Sequence, residues 1–141
     1  MTREAFLKQI GAGAAFVLTV PCFYACGKDD DGVAPAPPAA VDFTIDVTAA
    51  PHAAEFDRRG YAIANEVVIA KLADGTYAAA TQVCSHERNR QVAYDPATDS
   101  WFCPVHGAEF ARASGTPVNA VTSNPLRIYT ATLSGNMLRV R

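Results

Sequence analysis

Apolar and polar residues alternate with a period of two along Val41-Asp-Phe-Thr-Ile-Asp-Val47, the pattern of a strand with one buried face. Val67–Leu72 and Tyr77–Val83 are apolar runs on either side of Asp74-Gly75, a hairpin turn signal. Gln91–Tyr94 and Ser100–Phe102 flank the turn Asp95-Pro96-Ala97-Thr98-Asp99 and predict a second hairpin. Leu126–Leu133, the turn Ser134-Gly135-Asn136 and Met137–Val140 predict a third. Only Ala53–Arg59 carries a helical pattern, and it is short. From residue 41 onward the chain is therefore expected to be all-β, in one domain that ends at residue 141.

Upstream the pattern changes. Arg3 and Lys8 precede a run of small and apolar residues from Ile10 to Val20, which reads as an export signal over residues 1–25. That run is shorter than the twenty or so apolar residues of a membrane span, although an uncleaved anchor is the alternative. Ala25-Cys26 resembles the cleavage site of bacterial lipoproteins, which makes Cys26 the candidate for lipidation and discards Cys22 with the signal. The acidic cluster Lys28-Asp29-Asp30-Asp31 behind it resembles a signal that some outer-membrane lipoproteins use to reach the cell surface. Thr2-Arg3-Glu4-Ala5-Phe6-Leu7-Lys8 resembles a twin-arginine export motif with Glu4 in place of the second arginine. Residues 26–40 hold this acidic cluster and the proline- and alanine-rich stretch from Gly32 to Ala40, a semi-rigid spacer of polyproline type. The expected location is exported, periplasmic or cell-surface, with the chain held at a membrane by its lipid or by its N-terminal segment.

Charge narrows the partners. The formal net charge is −2, and without residues 1–25 it becomes −3, with no basic stripe to bind nucleic acid. The chemistry lies in two cysteine–histidine pairs. Cys84-Ser85-His86 and Cys103-Pro104-Val105-His106-Gly107 form a C-x-H-x16-C-x-x-H pattern, in a chain with four cysteines and three histidines. Two thiolates and two imidazoles suit a [2Fe–2S] cluster in which cysteines hold one iron and histidines the other. The same set also binds structural zinc, although zinc fingers usually pair cysteine with cysteine and histidine with histidine. A Cys84–Cys103 disulfide is a third possibility in an exported chain.

The pattern resembles the Rieske iron–sulfur domain, and the resemblance extends to His106-Gly107-Ala108-Glu109-Phe110, Ser114-Gly115 and Asn124-Pro125-Leu126-Arg127-Ile128-Tyr129. It implies stacked antiparallel sheets with a cluster-binding subdomain of two hairpin loops. It also implies one [2Fe–2S] cluster per chain, held by Cys84, His86, Cys103 and His106, with Pro104 and Gly107 shaping the second loop. In the branch that oxidises quinols, each loop carries a further cysteine and the two form a disulfide; the corresponding positions here are Asn89 and Val105. That branch also has serine and tyrosine hydroxyls where this chain has Ala108 and Phe110. Hydrogen bonds to cluster sulfur favour the reduced form, so their loss predicts a potential in the lower half of the Rieske range of about −150 to +300 mV.

The resemblance therefore implies a ferredoxin-like electron carrier rather than an enzyme on its own, with an unidentified redox protein as partner. A Rieske subunit of a quinol-oxidising membrane complex and a zinc-binding or structural lipoprotein are the alternatives. Trp101 is read as core, His52 as an exposed loop residue, and Arg88 and Arg90 as either solvated or facing an acidic partner.

Overall fold

The computed structural model describes residues 36–141. The expected export signal, Cys22, Cys26 and all but the last five residues of the tether lie outside the described residues.

Among the described residues ten strands and one helix follow in order: β1 (Phe43–Asp46), α1 (His52–Arg59), β2 (Tyr61–Ala64), β3 (Val67–Lys71), β4 (Tyr77–Thr81), β5 (Ala93–Asp95), β6 (Ser100–Cys103), β7 (Ala108–Ala111), β8 (Ile128–Tyr129), β9 (Ala131–Ser134) and β10 (Met137–Val140). They form three antiparallel sheets in the orders β1-β10-β9, β2-β3-β4-β8 and β5-β6-β7. The all-β class and the stacked antiparallel sheets expected from the sequence are those observed.

The sequence of β3 explains the layering. Val67, Val68, Ile69 and Ala70 are all fully buried, as a continuous apolar run requires when both faces of a strand are covered. Side chains alternate across a strand, so Val68 and Ala70 enter one core while Val67 and Ile69 enter another. β4 repeats this, with Ala80 on the first side and Ala79 on the second. The four-stranded sheet is thus a middle layer. One face packs on Tyr94, Trp101, Cys103, Ala108 and Phe110 of the β5–β7 sheet, and the other on Ile45, Leu138, Val140 and the helix residue Phe56.

Several boundaries differ from expectation. The single strand expected over Leu126–Leu133 is divided: β8 pairs with β4 in the middle sheet, whereas β9 pairs with β10 in the outer one. Thr130 marks the crossing, exchanging backbone hydrogen bonds with Arg141 at 2.7 and 2.9 Å. Val83 leaves β4 and makes an isolated bridge to Arg90, so the strand ends at Thr81. β2 and β7 are further strands. His52 is not an exposed loop residue: it opens α1, with its Nδ1 buried 3.6 Å from Glu55 Oε2, because the Pro51 turn brings it into the helix.

The chain entering the domain is bonded to it. Tyr129 Oη donates to Pro38 O at 2.8 Å, and Arg127 donates to Ala39 O at 2.7 Å. Among the described residues no helix is long and apolar enough to cross a membrane.

Candidate metal centre

The two cysteine–histidine pairs sit on loops built differently. Cys103 ends β6 and Ala108 opens β7 as its cross-strand partner, so residues 104–107 form a hairpin tip. Gly107 closes it with φ +73°, and its N–H donates to Cys103 O at 2.9 Å. A side chain rarely takes that conformation, which gives the glycine its reason. The first loop instead connects the middle sheet to the β5–β7 sheet. It is pinched at its base by the Val83–Arg90 bridge and by Cys84 N–H donating to Asn89 O at 2.8 Å. An ion pair of Arg90 with Glu66 at 2.9 Å ties this base to the β2–β3 turn. That contact answers, for Arg90, the choice between solvated charge and partner contact: it has a partner within the fold.

A third segment clasps both loops. Asn119 donates through Nδ2 to Gly107 O at 2.7 Å, and Ser85 Oγ donates to Asn124 O at 2.7 Å. Neither bond was anticipated from the sequence, and the polar residues Ser85, Asn119 and Asn124 give no signal at pattern level.

Behind the loops the β5–β7 sheet is stiffened by a polar network. Tyr94 Oη and Arg112 Nε each donate to Asp99 Oδ1 at 2.7 Å, and Trp101 Nε1 donates to Arg112 O at 3.1 Å. Burial, followed by the hydrogen bond to Asp99, pushes the Tyr94 hydroxyl up to about 12. Trp101 is fully buried in the same core as Cys84 and Cys103, so it is core, packed in the same cluster as the two thiols.

Both cysteines are buried and free, not joined as a disulfide. Burial pushes the Cys84 thiol up; the backbone N–H of His86 opposes this, and the neighbouring Cys103 thiol adds to it. A bound cation reverses that preference, because its charge favours the thiolate. The two imidazoles meet edge to face, with ring centroids 5.0 Å apart and planes at 83°. His86 Nδ1 is buried without a hydrogen-bond partner, while the His106 side chain is 40% exposed. A buried ring nitrogen with no partner is costly unless something binds it, and a metal ion would satisfy it.

Pro104, Val105 and His106 stand at the exposed tip, whereas Ala108 and Phe110 are buried beneath it. Glu87 joins the histidines unexpectedly. One potential ligand atom each from His86, Glu87 and His106 lie within 4.8 Å of one another. This set departs from the expected two cysteines and two histidines. Its signal was visible as an acidic residue directly after the first histidine.

Comparison with known proteins places the domain. Among solved structures, the chain is similar to the cyanobacterial plasma membrane Rieske protein of Synechocystis, with 26% identity and a TM-score of 0.50 over 62% of this chain and 92% of that one. It shares its fold with the ferredoxin of carbazole 1,9a-dioxygenase from Nocardioides aromaticivorans, with 21% identity and a TM-score of 0.50 over 59% and 86% of the two chains. No curated protein matches it. The model of the Rieske [2Fe-2S] domain matches residues 46–130, more than half of the chain. The buried thiols, the paired imidazoles and this match agree: the chain belongs to the Rieske [2Fe-2S] domain family, whose domains have a [2Fe–2S]-type cofactor site and carry electrons.

Proposed function

We propose that this protein is a membrane-tethered Rieske-type electron carrier that passes single electrons to or from a separate oxidoreductase. Cys84 and Cys103 would hold one iron of a [2Fe–2S] cluster, and His86 and His106 the other. The observation that carries this reading is the donor set: two free thiols buried in one core cluster and two imidazoles paired edge to face, with His86 Nδ1 buried and unpartnered. A single zinc ion needs all four donors within one coordination sphere. A two-iron group instead takes the thiols and the imidazoles as two pairs, one for each iron.

Once bound at these four residues, such a cluster would supply one-electron transfer. The protein's own residues determine which side is presented. Trp101 and Phe110, both fully buried, exclude water behind the thiols. His106 and Val105, 40% and 45% exposed, form the approach for a partner. The partner is a redox protein, and docking at this tip brings it nearest to the imidazole side.

Ala108 and Phe110 offer no hydroxyl toward the site, which supports a midpoint in the lower half of the Rieske range. Membrane tethering rests on the signal-like N-terminus with Cys26 and on the plasma-membrane location named for the Synechocystis relative. The test is an anaerobic redox titration of reconstituted protein followed by EPR. A Rieske spectrum with a low midpoint supports a ferredoxin-like carrier. A high midpoint would favour quinol chemistry, and no Rieske signal from iron- and sulfide-replete protein would remove the ligand assignment.

A further inference from the structure

Glu87 belongs to the first ligand loop, yet its carboxylate addresses the histidine of the second. Its Oε2 lies 3.5 Å from His106 Nε2, and the two side chains are 56% and 40% exposed. We propose that Glu87 is a positioning residue for His106: it holds the imidazole proton on Nε2 and thereby leaves Nδ1 free to bind iron. This rests on His106 being a cluster ligand.

The argument begins with the ring. A neutral imidazole carries one N–H, and its two tautomers differ little in energy until a neighbour distinguishes them. A negative charge 3.5 Å from Nε2 stabilises the tautomer with its proton there. Only the unprotonated nitrogen can ligate a metal, and the group bonded to the opposite nitrogen fixes both tautomer and ring orientation. At 3.5 Å the carboxylate oxygen lies just beyond a short hydrogen bond to Nε2, and the exposed side chain has room to close on the ring when Nδ1 is engaged.

The two histidines then differ in how they are held. His86 is more enclosed, and its Nδ1 is kept inward by burial. His106 stands on an exposed hairpin tip and lacks that enclosure. A charge borne on the opposite loop substitutes for it. Because the contact crosses from one loop to the other, it also couples their rims on the solvent side, where the third segment's bonds to Ser85 and Gly107 do not reach the imidazoles.

The test compares Glu87→Ala with Glu87→Gln in cluster-loaded protein. Glutamine keeps an oxygen acceptor for the Nε2 proton and drops the charge; alanine removes both. Cluster loss under a chelator at neutral pH is expected to accelerate about 10-fold or more in Glu87→Ala, as for loss of an orienting partner elsewhere, and less than about 3-fold in Glu87→Gln. Pulsed EPR of protein labelled with ¹⁵N-histidine should show one of the two nitrogen couplings altered in Glu87→Ala and both retained in Glu87→Gln. Unchanged cluster lifetime and couplings in Glu87→Ala would overturn the proposal. So would equal losses in the two variants, which would assign the effect to charge or to direct ligation. Absence of a Rieske signal in the unsubstituted protein would instead point to failure of the ligand assignment.

Discussion

Gly115 offers the sharpest mechanical test of how the ligand loops are held. It is buried with φ +71°, and its carbonyl accepts from Leu126 N–H at 2.8 Å. In Gly115→Ala the added Cβ would overlap the Leu126 carbonyl oxygen and stand 3.0 Å from its carbon and 3.1 Å from Ile128 Cγ1. The left-handed conformation alone costs an alanine about 1–2 kcal/mol. Relieving the overlap requires the Leu126 backbone to move, and losing its hydrogen bond inside the fold costs about 1–3 kcal/mol more. The sum is about 2–5 kcal/mol, of which a stiffer unfolded chain returns about 0.4–1 kcal/mol. Gly75→Ala is the control, since φ is +83° but nothing lies within 4 Å of the added carbon. At about 4–8 °C per kcal/mol for a domain of this size, Gly115→Ala should lower the thermal midpoint by about 4 °C or more beyond Gly75→Ala, because the two share the backbone cost and differ by that of the lost hydrogen bond, about 1–3 kcal/mol. Melting of cluster-loaded protein at one fixed scan rate reads both. Because Asn124, two residues before Leu126, holds Ser85, the Gly115 variant should also lose its cluster faster. Midpoints within about 3 °C of each other would refute the steric argument.

Three further outcomes are expected. The Tyr94 hydroxyl is pushed up to about 12 by burial and by Asp99, against about 10 when unfolded; the stability it carries is complete below pH 10 and is lost as pH rises from about 10 through 12. Denaturation followed across this range should show a limb that Tyr94→Phe flattens. Ala108→Ser places a hydroxyl across the strand pair from Cys103 and should raise the midpoint in an EPR titration; no change would mean that the hydroxyl does not reach sulfur. Removing iron with a chelator should lower the melting temperature, because both loops lose their shared cross-link, and equal melting of apo- and holo-protein would contradict it.

What could be read in the sequence follows from how local each signal was. The hairpins around Asp74-Gly75 and Ser134-Gly135-Asn136 were legible because turn residues and flanking apolar runs lie together. The ligand spacing identified the family for the same reason. The division of Leu126–Leu133 was not legible, since only distant partners, β4 and β10, decide where one strand ends and the next begins. β7 was hidden because Ala108-Glu-Phe-Ala111 reads as the tail of the ligand loop. Glu87 was overlooked because its role depends on His106, nineteen residues away in sequence and brought near only by the fold.

The bonds from Tyr129 and Arg127 to Pro38 and Ala39 bear on the geometry of any leash. Pro37 shares a surface pocket with Ser85 and Pro125, so the polypeptide enters this domain on the same flank as the first ligand loop. The reach of such a leash would therefore be counted only from before Pro37. Residues 37–40, about 12 Å of polyproline-type chain, add nothing to its reach while they stay docked. An anchor upstream, as proposed, would pull on the domain at the flank of the first ligand loop. Were the chain held at a membrane as proposed, the first ligand loop would lie on the tethered flank of the domain, within reach of partners in or on that surface.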